Sequence, residues 1–359
     1  MKHFSEYVSL GHPDKTADYI SQCLLDRYIK EDPDTRYAVE VQIKNFLVTL
    51  GGEVSSKCTL SSLEVRDIVR KAVNDIGYTK EYMMRWGAQN TICGELLEVH
   101  NLITQQSSDI AQGVDREGWG DQGIFFGYAD PKGPDMCPKD HAIAKALCNK
   151  LYIAAQALPE LQLGIDIKTQ VEMDGDRIEK VIVAIPAGKP DSEEAVRGLV
   201  KTHLGWTPLD GPNDPCEIIV NGTGRYVQHG PIADCGTTGR KLVVDFYGGN
   251  APIGGGSPWT KDGSKADLTL NLYARKLARR YARDERAGGQ PVLVRLASCI
   301  GRSTVVFSVA TEDLVIEQGY LELKPSELRK EFKLNTPIYA DICKDGLFGG
   351  SSELKAWEE

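Results

Sequence analysis

The sequence has no hydrophobic run approaching the ~18 residues a membrane helix needs, which excludes a helical membrane span. Its opening, MKHFSEYV, lacks the apolar core of a signal peptide. Cys-x-x-Cys is missing: the nine cysteines are odd in number and fit neither a disulfide framework nor a zinc pattern. Free thiols in a reducing, cytoplasmic setting are therefore expected. Excess positive charge is absent as well. A net charge of −9 excludes a general nucleic-acid binder, so any cations serving phosphate must be gathered locally. Two common nucleotide signatures are also lacking. No Gly-x-Gly-x-x-Gly opens a helix with an acidic residue at the right distance downstream. Gly236-Thr237-Thr238-Gly239-Arg240-Lys241 looks like a Walker A, but its spacing is short and no Lys-Ser/Thr pair closes it.

What is present is ordinary in bulk. The 359 residues, 41% apolar and 26% charged, suit a soluble globular protein of two or three domains. The stretch from His229 to Asp267 is different. Glycines crowd around a short apolar segment, Leu242 to Val244, expected as a strand. Arg240, Lys241, Lys261 and Lys265 interleave with Asp234, Asp245, Asp262 and Asp267. Glycine lets backbone N–H groups approach an anion, and lysine and arginine add charge. The pattern reads as a polyphosphate cradle with carboxylates left over for a metal. A Gly-rich loop pair with a solvated charged face is the plain alternative.

Along the chain, Gly11-His12-Pro13-Asp14-Lys15 opens a helix to about Lys30, with Ala17, Ile20, Leu24 and Tyr28 as its buried stripe. His12 and Asp14 have purely structural readings there, as a cap and a helix-dipole partner. A strand from Arg36 buries Tyr37, Val39, Val41 and Ile43, and Gly51-Gly52 is expected to turn it into a hairpin. A helix follows from Ser61, with Glu64 completing a capping box, and stops at Gly77. The same order then returns twice. Helix 139–158, hairpin 165–185 and helix 192–204 form the second unit; helix 264–284, hairpin 291–310 and helix 326–332 form the third. The expected fold is α+β. It has three structurally similar domains, each a mainly antiparallel sheet with helices on one face, over residues 1–110, 111–223 and 224–359. Residues 107–121, polar and Gly-rich, read as a lid loop at the first junction. Within it Trp119 is either an apolar plug over the substrate or an anchor for the loop.

Several motifs now fall in one order: GHPDK at 11–15, GGE at 51–53, QSSDIAQGVD at 106–115, GDQG at 120–123, DIK at 166–168, GTGRY at 222–226, DCGTTGRK at 234–241, GGG at 254–256 and KDGSKAD at 261–267. The chain closely resembles the S-adenosylmethionine synthetase (methionine adenosyltransferase) family over nearly its whole length. The resemblance implies a pseudo-threefold arrangement of three α+β domains. It also implies attack of methionine sulfur on C5′ of ATP, followed by hydrolysis of the triphosphate to pyrophosphate and phosphate. It assigns His12, Lys168, Arg240, Lys241 and Lys261 to catalysis at the triphosphate. Asp166, Arg225, Tyr226, Asp234 and Ser257 fall in ATP-binding segments, and Glu53, Gln106, Asp121, Asp234 and Lys265 at methionine-binding positions. Asp14 and Asp267 correspond to Mg²⁺ ligands, with two ions per site, and Glu40 to a K⁺ site. A homodimer or dimer of dimers with active sites at the subunit interface is implied, with ATP and L-methionine as substrates and no nucleic-acid or membrane partner.

There are departures. Leu10 stands where the family has Glu, Ser257-Pro258-Trp259-Thr260 replaces AFSG, and the lid from Asp115 to Asp121 is short. Two rivals stay open: a catalytically weak regulatory homologue, and an ATP-dependent phosphotransferase using the same cradle.

Overall fold

The computed structural model describes residues 2–105, 117–205, 216–350 and 352–359. The first stretch forms β1 (Lys2–Val8), α1 (Pro13–Glu31), β2 (Arg36–Lys44), β3 (Leu47–Ser55), α2 (Ser62–Ile76), α3 (Lys80–Trp86) and β4 (Glu98–Gln105). The second forms β5 (Gly123–Ala129), α4 (Lys139–Ala157), β6 (Lys168–Asp174), β7 (Arg177–Ala184) and α5 (Ser192–His203). The third opens with β8 (Glu217–Val220), β9 (Gly236–Thr237), α6 (Leu242–Asp245), α7 (Ala266–Ala282) and β10 (Val292–Ser298). It closes with β11 (Thr304–Ala310), β12 (Val315–Glu322), α8 (Pro325–Glu331) and α9 (Tyr339–Asp345).

The strands make three four-stranded sheets, ordered β4-β3-β2-β9, β1-β6-β7-β8 and β12-β11-β10-β5. All neighbours are antiparallel except β3 with β4 and β7 with β8. The α+β fold and its threefold repetition are thus as expected, with one addition: each sheet borrows a strand. β1 completes the sheet of β6, β5 that of β10, and β9 that of β2. The long helices cover these seams, α1 on β2 and β9, α4 on β1 and β6, and α7 on β5 and β10. This interleaving packs the three units onto one another and brings the start of α1 beside the Gly-rich stretch.

Local signals explain the start of α1 and both ends of α2. His12 caps α1, its ring accepting from the Asp14 N–H at 3.1 Å, and Pro13 occupies the first turn. Ser61 and Glu64 make both bonds of a capping box on α2, which Gly77 ends in a left-handed conformation. The expected stripe of α1 is buried.

Two expectations fail. The β2–β3 turn is Asn45-Phe46, with Asn45 at φ 53°, and Gly51-Gly52 lies inside β3. Glycine is needed there because a Cβ on Gly52 would stand 2.0 Å from the Ala38 carbonyl oxygen. Leu242 to Val244, expected as a strand, form the helical turn α6. Its Asp245 is drawn inward by Lys15 at 2.6 Å and by the Trp259 indole N–H at 2.8 Å, and these fix the turn.

Candidate active site

The site starts at the first turn of α1. Asp14 is buried, and its carboxylate accepts the Thr237 N–H at 2.9 Å and the Lys241 ammonium at 2.5 Å. The Arg240 guanidinium stands 4.0 Å away. Burial pushes this carboxyl up, but Lys241 and the Thr237 N–H outweigh it and hold Asp14 below the usual range. One turn on, buried Asp18 accepts the Gly239 N–H at 2.9 Å, so two acidic side chains of α1 grip the backbone of the cradle. The fit is close: a Cβ on Gly236 would lie 2.1 Å from the Pro13 carbonyl oxygen.

Burial pulls the His12 pKa down to about 3, helped by Lys241 and Lys168. The ring is therefore neutral. With Nδ1 accepting from Asp14 N–H, its proton sits on Nε2, and the imidazole is a donor.

β2 carries the site onward. Thr238 N–H donates to the Val41 carbonyl and Val39 N–H to the Thr260 carbonyl, placing both halves of the Gly-rich stretch along one strand. Glu40 lies between them and accepts from both hydroxyls, Thr238 and, at 3.2 Å, Thr260. Beyond Thr260, Lys261 pairs with Asp267 in the first turn of α7. Gly256 packs on that carboxylate, and Gly239 on Ser257.

A second cluster forms around Asp166. This buried carboxylate accepts the Gly230 N–H at 2.9 Å and the Tyr226 hydroxyl at 2.8 Å, both on Oδ2, while Oδ1 has no partner among the described residues. Burial raises it to about 6 despite those donors. Ser9 bridges to Ile165 and Ile167, and the Tyr78 hydroxyl donates to the Gly11 carbonyl at 2.5 Å, so this cluster adjoins His12. Behind it the Tyr82 hydroxyl meets His229 Nε2 at 2.7 Å and accepts the Ile165 N–H at 3.1 Å.

Of the expected residues, His12, Asp14, Arg240 and Lys241 converge; Glu40 lies on β2, Lys261 bridges to Ala38 of that strand and pairs with Asp267 of α7, Ser257 packs on Gly239, and Asp166 and Tyr226 form the adjoining cluster. Lys168 opens β6 with its side chain exposed, near enough to His12 to act on its charge. Glu53 pairs in register with Ala38 and Thr104. Asp121 and Asp234 are exposed and take the N–H of their own successors, and Arg225 is exposed. Lys265 precedes α7. No hydrogen bond or ion pair joins Glu53, Asp121 or Lys265 to Asp14 among the described residues. Gln106 and residues 107–116 of the expected lid lie outside the described residues. Asp18, Thr238 and Thr260 were not singled out from sequence. Only Asp18 carried a signal, its i+4 spacing from Asp14 on one helix face.

The chain matches the N-terminal domain of S-adenosylmethionine synthetase over residues 1–108, the central domain over 116–226 and the C-terminal domain over 228–359. It is 36% identical to the S-adenosylmethionine synthase of Paramagnetospirillum magneticum, covering 99% of this chain and 95% of that one. The chain belongs to the S-adenosylmethionine synthetase family. It is 35% identical to S-adenosylmethionine synthase 2 of Rhodospirillum rubrum, over 99% of this chain and 94% of the relative. A solved structure described as an unusual S-adenosylmethionine synthetase from Campylobacter jejuni superposes with a TM-score of 0.86 at 30% identity, covering all of this chain and 96% of the other. Membership makes the chain a methionine adenosyltransferase that binds ATP and methionine. No described helix is long and apolar enough to cross a membrane.

Proposed function

We propose that the chain makes S-adenosylmethionine by attack of the methionine sulfur on C5′ of ATP, then hydrolyses the released triphosphate to pyrophosphate and phosphate. The observation that carries this reading is the convergence of Arg240, Lys241 and a neutral, donating His12 on the start of α1. A thioether has no proton to lose, so the first step needs no base. The difficulty lies in the leaving group, a polyanion gaining charge, which fixed cations and N–H donors stabilise. Arg240, Lys241 and Lys261 grip the triphosphate, Lys168 and His12 Nε2–H face the oxygen leaving C5′, and Asp166 with Arg225 and Tyr226 holds the nucleoside. Glu53, Gln106, Asp121, Asp234 and Lys265 receive methionine, Asp234 serving both substrates and Ser257 lining the phosphates.

The donors suit the expected ions. Among the described residues no group of three or more His, Cys, Asp or Glu forms a metal cage. Asp14 and Asp267 are single carboxylates each beside a lysine, which fits Mg²⁺ held chiefly by phosphate oxygens and waters. Glu40 with two threonine hydroxyls offers hard oxygens to K⁺. Bound Mg²⁺ would neutralise charge developing on the triphosphate.

We also place the enzyme in the cytoplasm, consistent with nine free cysteines, and as a homodimer or dimer of dimers. Ile124, Ala297, Val306 and Tyr320 stand in one register row across all four strands of the β5 sheet, and Tyr320 is 75% exposed. An open apolar row of this kind suits an interface. Incubation with ATP, methionine, Mg²⁺ and K⁺, followed by mass spectrometry, tests the reaction. Sulfonium product with pyrophosphate and phosphate is expected; ADP instead would mean phosphotransfer.

A further inference from the structure

Two segments meet at Asp166: the stretch 164–167 that leads into β6, and the stretch 226–230 that leads into the Gly-rich region. Both donors on Oδ2 come from the second segment, the Tyr226 hydroxyl at 2.8 Å and the Gly230 N–H at 2.9 Å. Only the buried Oδ1, without a partner among the described residues, is left for a ligand. The direction in which Oδ1 points therefore depends on how the two segments are held against each other.

One hydroxyl bridges them. Tyr82 of α3 accepts the Ile165 N–H at 3.1 Å, and its oxygen lies 2.7 Å from His229 Nε2. His229 Nδ1 lies 2.7 Å from the Val227 carbonyl, which can only accept. The ring proton is therefore on Nδ1, Nε2 is an acceptor, and the Tyr82 hydroxyl donates to it. Burial keeps the imidazole neutral, its pKa lowered to about 4. The His229 backbone is tied down as well, its N–H donating to the Asn90 carbonyl at 2.9 Å. The ring is fully buried and stands edge-on to Trp86, with centres 4.8 Å apart, and to Tyr82, at 5.7 Å. Apolar side chains could fill this space without the cost of burying an imidazole and a hydroxyl. What the polar pair adds is direction: every bond it makes ends on a segment that carries Asp166 or its donors.

We propose that Tyr82 and His229 are positioning residues for the nucleoside of ATP, acting through Asp166 by holding the 164–167 and 226–230 segments in register so that Oδ1 meets the ligand. The inference rests on the reading of Asp166 as a nucleoside contact. The effect belongs to the nucleoside end of ATP, which tripolyphosphate lacks, and the two ligands separate it from a general loss of packing.

Three variants of the full chain test this. Tyr82→Phe keeps the ring and removes both bonds, His229→Leu fills the space without an acceptor, and His229→Gln offers an amide oxygen in place of Nε2. Tyr82→Phe and His229→Leu should each raise the ratio of KM for ATP to KM for added tripolyphosphate about fivefold or more, the scale of one lost buried hydrogen bond. His229→Gln should recover most of that loss. The double variant Tyr82→Phe with His229→Leu should lose no more than the worse single one, because both act through one bond. Kinetics are read well below each melting temperature, and the nearly isosteric Tyr82→Phe reports even where His229→Leu does not fold. A ratio unmoved in the folded variants, or both KM values rising together, overturns the proposal, the second result showing a purely structural pair. Calorimetric titration of the β,γ-imido analogue of ATP makes the comparison without turnover. No sulfonium product from the wild type, with the analogue still binding about fivefold more weakly to Tyr82→Phe, would sink the catalytic reading and keep the positioning role.

Discussion

Lys15 and Asp245 meet at 2.6 Å in a buried pair that ties the first turn of α1 to the turn α6. The same ammonium lies 3.1 Å from Asp18 and 4.4 Å above the Trp259 ring. Two buried carboxylates thus share one cation, so one negative charge is in excess. Burial pushes Asp18 up to about 7 against the pull of Lys15.

The first prediction follows from that proton. An acid whose folded pKa is raised contributes stability that is complete below its unfolded pKa of about 4 and is lost as pH rises through about 7. Asp18→Asn keeps an acceptor for the Gly239 N–H but does not titrate. Urea unfolding at several pH values should show the variant gaining on the wild type between pH ~4 and ~7, by at most about 1.4 kcal/mol per pH unit. A pH-independent difference would mean that Asp18 stays ionised throughout.

Asp14 and Asp267 should separate under the same substitution. Asp14 is buried and holds both Lys241 and the Thr237 N–H, so Asp14→Asn should cost about 2 kcal/mol of stability as well as activity. Asp267 and Lys261 are partly exposed, and Asp267→Asn should change stability by under about 1 kcal/mol. Both should raise the Mg²⁺ concentration needed for half-maximal turnover. An unchanged Mg²⁺ titration in either variant would leave that aspartate a helix-terminus residue only.

Lys168 and Arg240 test the division of labour in the site. Lys168→Met should impair sulfonium formation far more than hydrolysis of added tripolyphosphate, whereas Arg240→Leu should impair both. Losing one donor from such a site costs ~3–4 kcal/mol of barrier. Equal losses of both activities in both variants would reject the separate roles.

The legible parts of the molecule are those whose causes are local. The capping box of Ser61 and Glu64 and the left-handed Gly77 lie within one helix, and α2 has the ends they predict. β1 and β5 gave no such signal because their partners lie far along the chain: Lys2 pairs with Asp174, and Gly123 with Ser298. Gly51-Gly52 misled because glycine serves close backbone approach as well as turns. In the site, Asp14, Arg240 and Lys241 were readable as motif. Thr238 and Thr260 were not, because their shared contact with Glu40 exists only once β2 runs between them.

Trp119 decides between the two readings of the short lid. Its side chain is fully buried, its backbone N–H donates to the Arg302 carbonyl at 3.1 Å, and its carbonyl accepts the Gly301 N–H at 2.8 Å. Beside it, a Cβ on Gly118 would lie 2.4 Å from the Gly301 carbonyl carbon. The loop end is clipped to the β10–β11 turn with the indole buried, which supports the anchor reading. Trp119→Gly should therefore act through packing, lowering stability by about 3–5 kcal/mol as large core truncations do. Melting temperature should fall and both substrates should suffer together. In competition between methionine and ethionine, measured well below the melting transition, the product ratio should match the wild type. A ratio shifted toward the ethyl sulfonium in a folded variant would return the indole to the substrate.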